Sequence, residues 1–125
     1  MIAADTSTLL AFLHGDFSAS DVGKLRAALR ASQLVLPPAT MTEALSNPKT
    51  ANAVFAIIGT MRLLEPLPDY WLRVAQSRAK LIGLRLKARL ADALIAQSCI
   101  DADVALITRD RDFRHFATHC GLKLA

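Results

Sequence analysis

Only two cysteines, Cys99 and Cys120, occur among the 125 residues. That is too few for a disulfide framework or a cysteine-ligated zinc site, so Cys99 reads as a small core residue. Long apolar runs are missing too. The stretch from Ala53 to Met61 is broken by Gly59 and stopped by Arg62, well short of the roughly 20 residues of a membrane span. The start carries no basic segment ahead of an apolar one, which predicts no signal peptide and a cytoplasmic protein. There is no glycine-rich phosphate loop. Aromatic residues are sparse, and Tyr70 and Trp71 stand as one pair rather than at intervals along a basic face. They read as core or dimer-surface groups, not as a base-stacking platform. His14, His115 and His119 do not follow strand-like runs and are not read as catalysts.

What the chain does have is apolar mass, with 53% hydrophobic residues and positive mean hydropathy. That excludes a disordered chain, and the length suits one domain, residues 1–125, with its own core. The pattern predicts strand 2–4, helices 6–14 and 19–31, strand 34–36, helices 39–46 and 49–59, and strand 62–64. It continues with helices 68–82 and 89–101, strand 104–108, a turn of helix at 110–116 and strand 122–124. Asn47-Pro48 and Pro66 with Pro68 act as breaks. Alternating strands and helices imply an α/β fold, a three-layer α/β/α sandwich over a short, mostly parallel sheet.

Four acids stand out by position. Asp5 ends the apolar start and Asp110 follows the run Val104 to Thr108, so both lie where open α/β sheets place ligands, at carboxyl ends of strands. Asp92 heads a stripe of Ile95, Ala96 and Cys99 that a helix would turn inward. Glu43 lies in a helix just beyond Leu34-Val35-Leu36 and Pro37-Pro38. Each has an ordinary explanation: N-cap for Asp5, first-turn acid for Asp92, turn residue for Asp110, solvent-facing acid for Glu43. Their joint convergence is what points to a site. Clustered carboxylates are costly to desolvate and raise each other's pKa, which protonation, basic partners or a divalent cation relieves. Oxygen donors without paired His or Cys select hard ions such as Mg²⁺ or Mn²⁺. All four acids are therefore expected to oppose folding while serving chemistry. The hydroxyls of Ser7 and Thr108, two residues from Asp5 and Asp110, are placed to orient those carboxylates.

Net charge is +4 and the pI about 9.5 despite these acids. Much of the basic charge is late, and Lys87, Arg89, Arg109 and Arg111 flank the acids in sequence. A basic rim around an acidic pocket suits a phosphodiester substrate.

Asp5-Thr6-Ser7, Glu43 before Ala44-Leu45, Asp92-Ala93-Leu94-Ile95-Ala96 and Thr108-Arg109-Asp110-Arg111-Asp112-Phe113 together resemble the PIN domain, particularly the VapC-type toxin ribonucleases. The resemblance covers essentially the whole chain. It implies a Mg²⁺- or Mn²⁺-dependent endoribonuclease, usually a homodimer and neutralised by an antitoxin encoded beside it. By motif match, Asp5, Glu43, Asp92 and Asp110 are the metal-binding and catalytic acids, Asp112 an auxiliary ligand, and Ser7 and Thr108 their hydroxyl supports. The first strand departs from the family pattern as Ile-Ala-Ala, and Gln97-Ser98 follows Ala96. An antitoxin tail would bring an arginine to the acids and a helix to Leu9, Leu10, Leu13 and Phe17. A receiver domain fits less well, since Thr6 follows Asp5 and Arg109 follows Thr108; a haloacid-dehalogenase phosphatase would need an Asp at Ser7. The remaining rival is a catalytically weak acidic-pocket module that binds RNA or a partner protein.

Overall fold

Residues 1–125 are described by a computed structural model. Three short strands, β1 (Ile2–Ala4), β2 (Leu34–Val35) and β3 (Ala105–Ile107), form a parallel sheet in the order β2-β1-β3. Ile2 and Ala3 pair with Leu34 and Val35 on one side of β1, and Ile2, Ala3 and Ala4 pair with Ala105, Leu106 and Ile107 on the other. Seven helices cover it: α1 (Thr6–Leu13), α2 (Ser20–Arg30), α3 (Pro38–Ala44), α4 (Asn52–Gly59), α5 (Tyr70–Gly83), α6 (Leu90–Ala102) and α7 (Phe113–Cys120). None is long and apolar enough to cross a membrane.

The period-2 pleat of the strands divides the core into two layers. Ala3, Val35 and Leu106 face a cluster built with Val74, Leu81, Ile95, Cys99, Phe113 and Phe116 from α5, α6 and α7. Their neighbours Ala4, Leu34, Leu36 and Ile107 face the opposite cluster with Leu9, Leu25 and Ile58 from α1, α2 and α4. This is the α/β/α sandwich expected from the alternation of strand and helix. Ala3 and Ala4 are both fully buried on the central strand. Small side chains there let helices approach from both faces, which accounts for the Ile-Ala-Ala start. Phe113 and Phe116, at 1% and 0% exposure, are among the largest buried groups, each contributing on the order of 2 to 3 kcal/mol by area.

Two expected strands are reduced to single parallel bridges, Leu36 to Leu63 and Leu106 to Leu124. At 62–64 the pairing consists of the Leu36 N–H to the Arg62 carbonyl and the Leu64 N–H to the Leu36 carbonyl, and Pro66 then offers no donor. At 122–124 the chain arrives from Gly121, whose φ of 84° ends α7 in the left-handed region. Only the Lys123 carbonyl and Ala125 N–H reach Leu106. The helix expected from 49 begins at Asn52, because Asn47 accepts the Lys49 N–H through its side chain and the Thr50 N–H through its carbonyl, making a turn first. The short helical turn expected at 110–116 is instead the eight-residue α7, displaced because Asp110 spends its side chain on the turn before it.

Candidate metal centre

Parallel strands end on the same side, so whatever follows them shares one rim. Asp5 follows β1, while Thr108 and Asp110 follow β3. Glu43 reaches the same place from α3 and Asp92 from the first turn of α6, and these four acids line one cavity of about 270 Å³ together with Ser7 and Arg89. An apolar groove of about 520 Å³ adjoins it, lined by Tyr70, Trp71, Leu90 and Leu94 and sharing only Glu43 among the acids.

The acids differ in how they are held. Asp5 is 2% exposed. Its Oδ1 accepts the Thr8 backbone N–H at 2.9 Å, capping α1, and its Oδ2 accepts the hydroxyls of Ser7 at 2.7 Å and Thr108. Burial raises the pKa of Asp5 above its ordinary value, and the hydrogen bonds from Thr108, Thr8 and Ser7 act against that rise. Both expected hydroxyl supports therefore converge on Asp5. The Thr108 hydroxyl oxygen meets Asp110 only as acceptor for its backbone N–H, at 3.0 Å. Asp5 is thus a hydrogen-bonded helix cap as well as a wall of the cavity, and its raised pKa means that burying its charge outweighs the bonds that hold it.

Asp92 is the opposite case. Its Oδ2 is buried and has no hydrogen-bond partner. Its pKa is pushed up to about 6, first by burial and then by the charge of Asp110, with Asp112 and Glu43 adding and Arg89 opposing. Oxygens of Asp92, Asp110 and Asp112 lie within 4.8 Å of one another. Asp110 Oδ1 accepts the Asp112 N–H at 2.9 Å, and Asp112 Oδ2 pairs with Lys87 Nζ at 3.1 Å. Glu43 is exposed and accepts the Thr6 hydroxyl at 2.6 Å. An ionised oxygen buried without a donor is costly, and this all-oxygen set fits a hard divalent cation in chemistry and spacing.

Of the basic residues singled out from sequence, Arg89 lines the cavity, Lys87 is spent on Asp112, and Arg111 is exposed with no ion pair. Arg109 turns its guanidinium away to Asp21 and Asp16. Sequence reasoning missed Thr8, Asp21 and Thr6. Thr8 was within reach of it, three residues after a potential N-cap; Asp21, 88 positions from Arg109, was not.

No curated protein matches the chain. The family model described as "PIN domain" matches residues 2–118, a span that includes every acid of the cavity. Members of that family are generally nucleases and typically use divalent metal ions. With its parallel sheet, its acidic rim and a match over nearly its whole length, this chain belongs to the PIN domain family.

Proposed function

We propose that residues 1–125 act as one domain, a Mg²⁺- or Mn²⁺-dependent endoribonuclease of VapC type and the toxin half of a type II toxin-antitoxin pair in the cytoplasm. The observation that carries this reading is Asp92, which has a buried, unpartnered Oδ2 and stands in one cluster with Asp110 and Asp112. In this reading Asp92, Asp110 and Asp112 hold the cation, with Glu43 and Asp5 across the cavity. A hard divalent cation supplies an acidified water as nucleophile and charge neutralisation for the departing oxygen. The Asp5 carboxylate, fixed by three donors, keeps the first wall of the site in place. Arg89, Arg111 and Lys87 form the rim that binds RNA phosphates, while Arg109, paired with Asp21 and Asp16, holds the turn beside them.

The partner assignments have their own support. Trp71, Ile82 and Leu90 are half or more exposed, along a groove of about 390 Å³ between α5 and α6; a second copy of the chain would cover such an apolar row. Leu10 and Leu13 line a smaller groove of about 190 Å³ with Val54, suited to an apolar helix face of an antitoxin. Leu9 belongs to the core and Phe17 lies under Arg26 at 4.5 Å, so those two are not free anchors.

The test is cleavage of end-labelled RNA and matched DNA by wild type and Asp92→Asn, with Mn²⁺ or with EDTA. RNA cleavage by wild type in Mn²⁺ alone is expected. Cleavage surviving in EDTA or in Asp92→Asn would refute the reading, and RNA binding without cleavage would favour the binding-module alternative.

A further inference from the structure

Arg109 stands between Thr108 and Asp110, in the turn that carries two groups of the site. Its Nε and Nη2 donate to both oxygens of Asp21, at 2.8 and 3.0 Å, the two-pronged geometry that fixes a guanidinium in orientation as well as position. Asp16 takes a further, longer contact from Nη2 at 3.3 Å. Asp21 Oδ2 also accepts the hydroxyl of Thr8 at 2.9 Å. Thr8 is fully buried, and its backbone N–H is the donor that holds Asp5 Oδ1. The Thr108 hydroxyl holds Asp5 Oδ2. A closed circuit results, running Asp5, Thr8, Asp21, Arg109, Thr108 and back to Asp5. It ties the end of β1, the start of α1, the first turn of α2 and the turn after β3 to one another.

We propose that Asp21 and Arg109 are positioning residues that, through Thr8 and Thr108, lock the turn bearing Asp110 against Asp5 and so hold the site's acids at their separation. The metal-binding part of this inference rests on the reading that those acids take up a cation. The need for a lock follows from the charges. Asp5, Glu43, Asp92, Asp110 and Asp112 crowd one end of the sheet, and a short turn carrying one of them relaxes outward unless something restrains it. An exposed ion pair contributes little to global stability. Here one partner is shared with a buried hydroxyl, and the Asp21 side chain is only 13% exposed against 39% for Arg109. The contact therefore acts on local geometry rather than on the fold as a whole. It also explains why Arg109, although inside the Thr108-to-Asp112 motif, points away from the cavity.

The experiment compares the full chain with Arg109→Gln, Arg109→Lys, Asp21→Asn and the Asp21→Asn/Arg109→Gln double variant, each verified as folded by circular dichroism. Mn²⁺ affinity is measured by calorimetry, and amide hydrogen exchange at Thr8 and Asp110 is followed by NMR without metal. Each single variant is expected to weaken Mn²⁺ binding by roughly tenfold, the low end for groups supporting metal ligands. The double variant is expected to be no worse than either single one, because one circuit is already open. Exchange at both amides should rise in all variants. Wild-type affinity in folded Arg109→Gln, or in Arg109→Lys where charge survives without the fork, would overturn the proposal. So would unchanged exchange. Should the wild-type chain bind no Mn²⁺, or Asp92→Asn bind it as well as wild type, the cation reading fails and exchange alone decides the lock.

Discussion

Replacing Asp92 by Asn should make the metal-free protein more stable, and the size of the gain follows from the burial of one carboxylate. Raising its pKa from 3.8 to about 6 amounts to about 3 kcal/mol at 1.36 kcal/mol per tenfold change in proton affinity. The side chain is only partly buried, and solvent screening reduces this to about 1 to 2 kcal/mol. The sign is fixed by linkage. Because the folded-state pKa lies above the unfolded one, the folded protein binds the proton more tightly, and stability falls as pH rises from 3.8 through about 6. Below that window both states are protonated and Asp92 costs nothing; above it the cost is complete. Asn removes the charge at nearly constant shape.

Thermal unfolding of wild type and Asp92→Asn in EDTA across that range is the assay. Near neutral pH the variant should melt roughly 3 to 8 °C higher, and the two curves should converge by about pH 4. Adding Mn²⁺ should reverse the ranking, since an ion at one hundred times its Kd stabilises the protein that binds it by about 2.7 kcal/mol. Equal stability of the two proteins in EDTA at neutral pH, or a difference independent of pH, would refute the account of Asp92 as a buried charge without a partner.

Asp5 should behave in the opposite way: Asp5→Ala removes a helix cap and leaves buried donors of Thr8 and Thr108 without an acceptor, costing about 2 to 4 kcal/mol in urea unfolding, and a neutral effect would contradict its structural role. Phe116→Ala, at a fully buried position, should cost about 3 to 5 kcal/mol in the same assay. RNA affinity should fall steeply with salt, and charge reversal at the exposed Arg111 should reduce RNA affinity more than it reduces Mn²⁺ affinity; titrations that are flat between low and moderate salt would dismiss the basic rim. Wild type should sediment as the proposed dimer and Trp71→Asp, altered on the exposed face of α5, as a monomer; a variant that sediments as wild type does would refute this interface.

The layered plan of the molecule and the convergence of its acids were legible because both depend on local pattern. Strand-length apolar runs followed at once by Asp5 and within three residues by Asp110 determine where those carboxylates emerge, and the inward stripe behind Asp92 is a matter of helical spacing. Element ends were less legible. Whether 62–64 and 122–124 pair as strands depends on how much of a neighbouring edge they reach, and the late starts of α4 and α7 depend on side chains of Asn47 and Asp110 capturing nearby amides.

Chemical kind was thus determined by the sequence alone: oxygen donors, no paired His or Cys, a basic excess and an α/β alternation. What each acid does was decided only by the tertiary structure, because that role depends on donors brought from distant parts of the chain. Asp5 meets Thr108, 103 positions away, and is hydrogen-bonded; Asp92 meets the charges of three other acids against that of Arg89, and its Oδ2 remains unpartnered. Arg109, basic and beside the motif in sequence, is captured by Asp21 across the fold, because a fork-shaped guanidinium pairs with whichever carboxylate the packing of α2 sets before it.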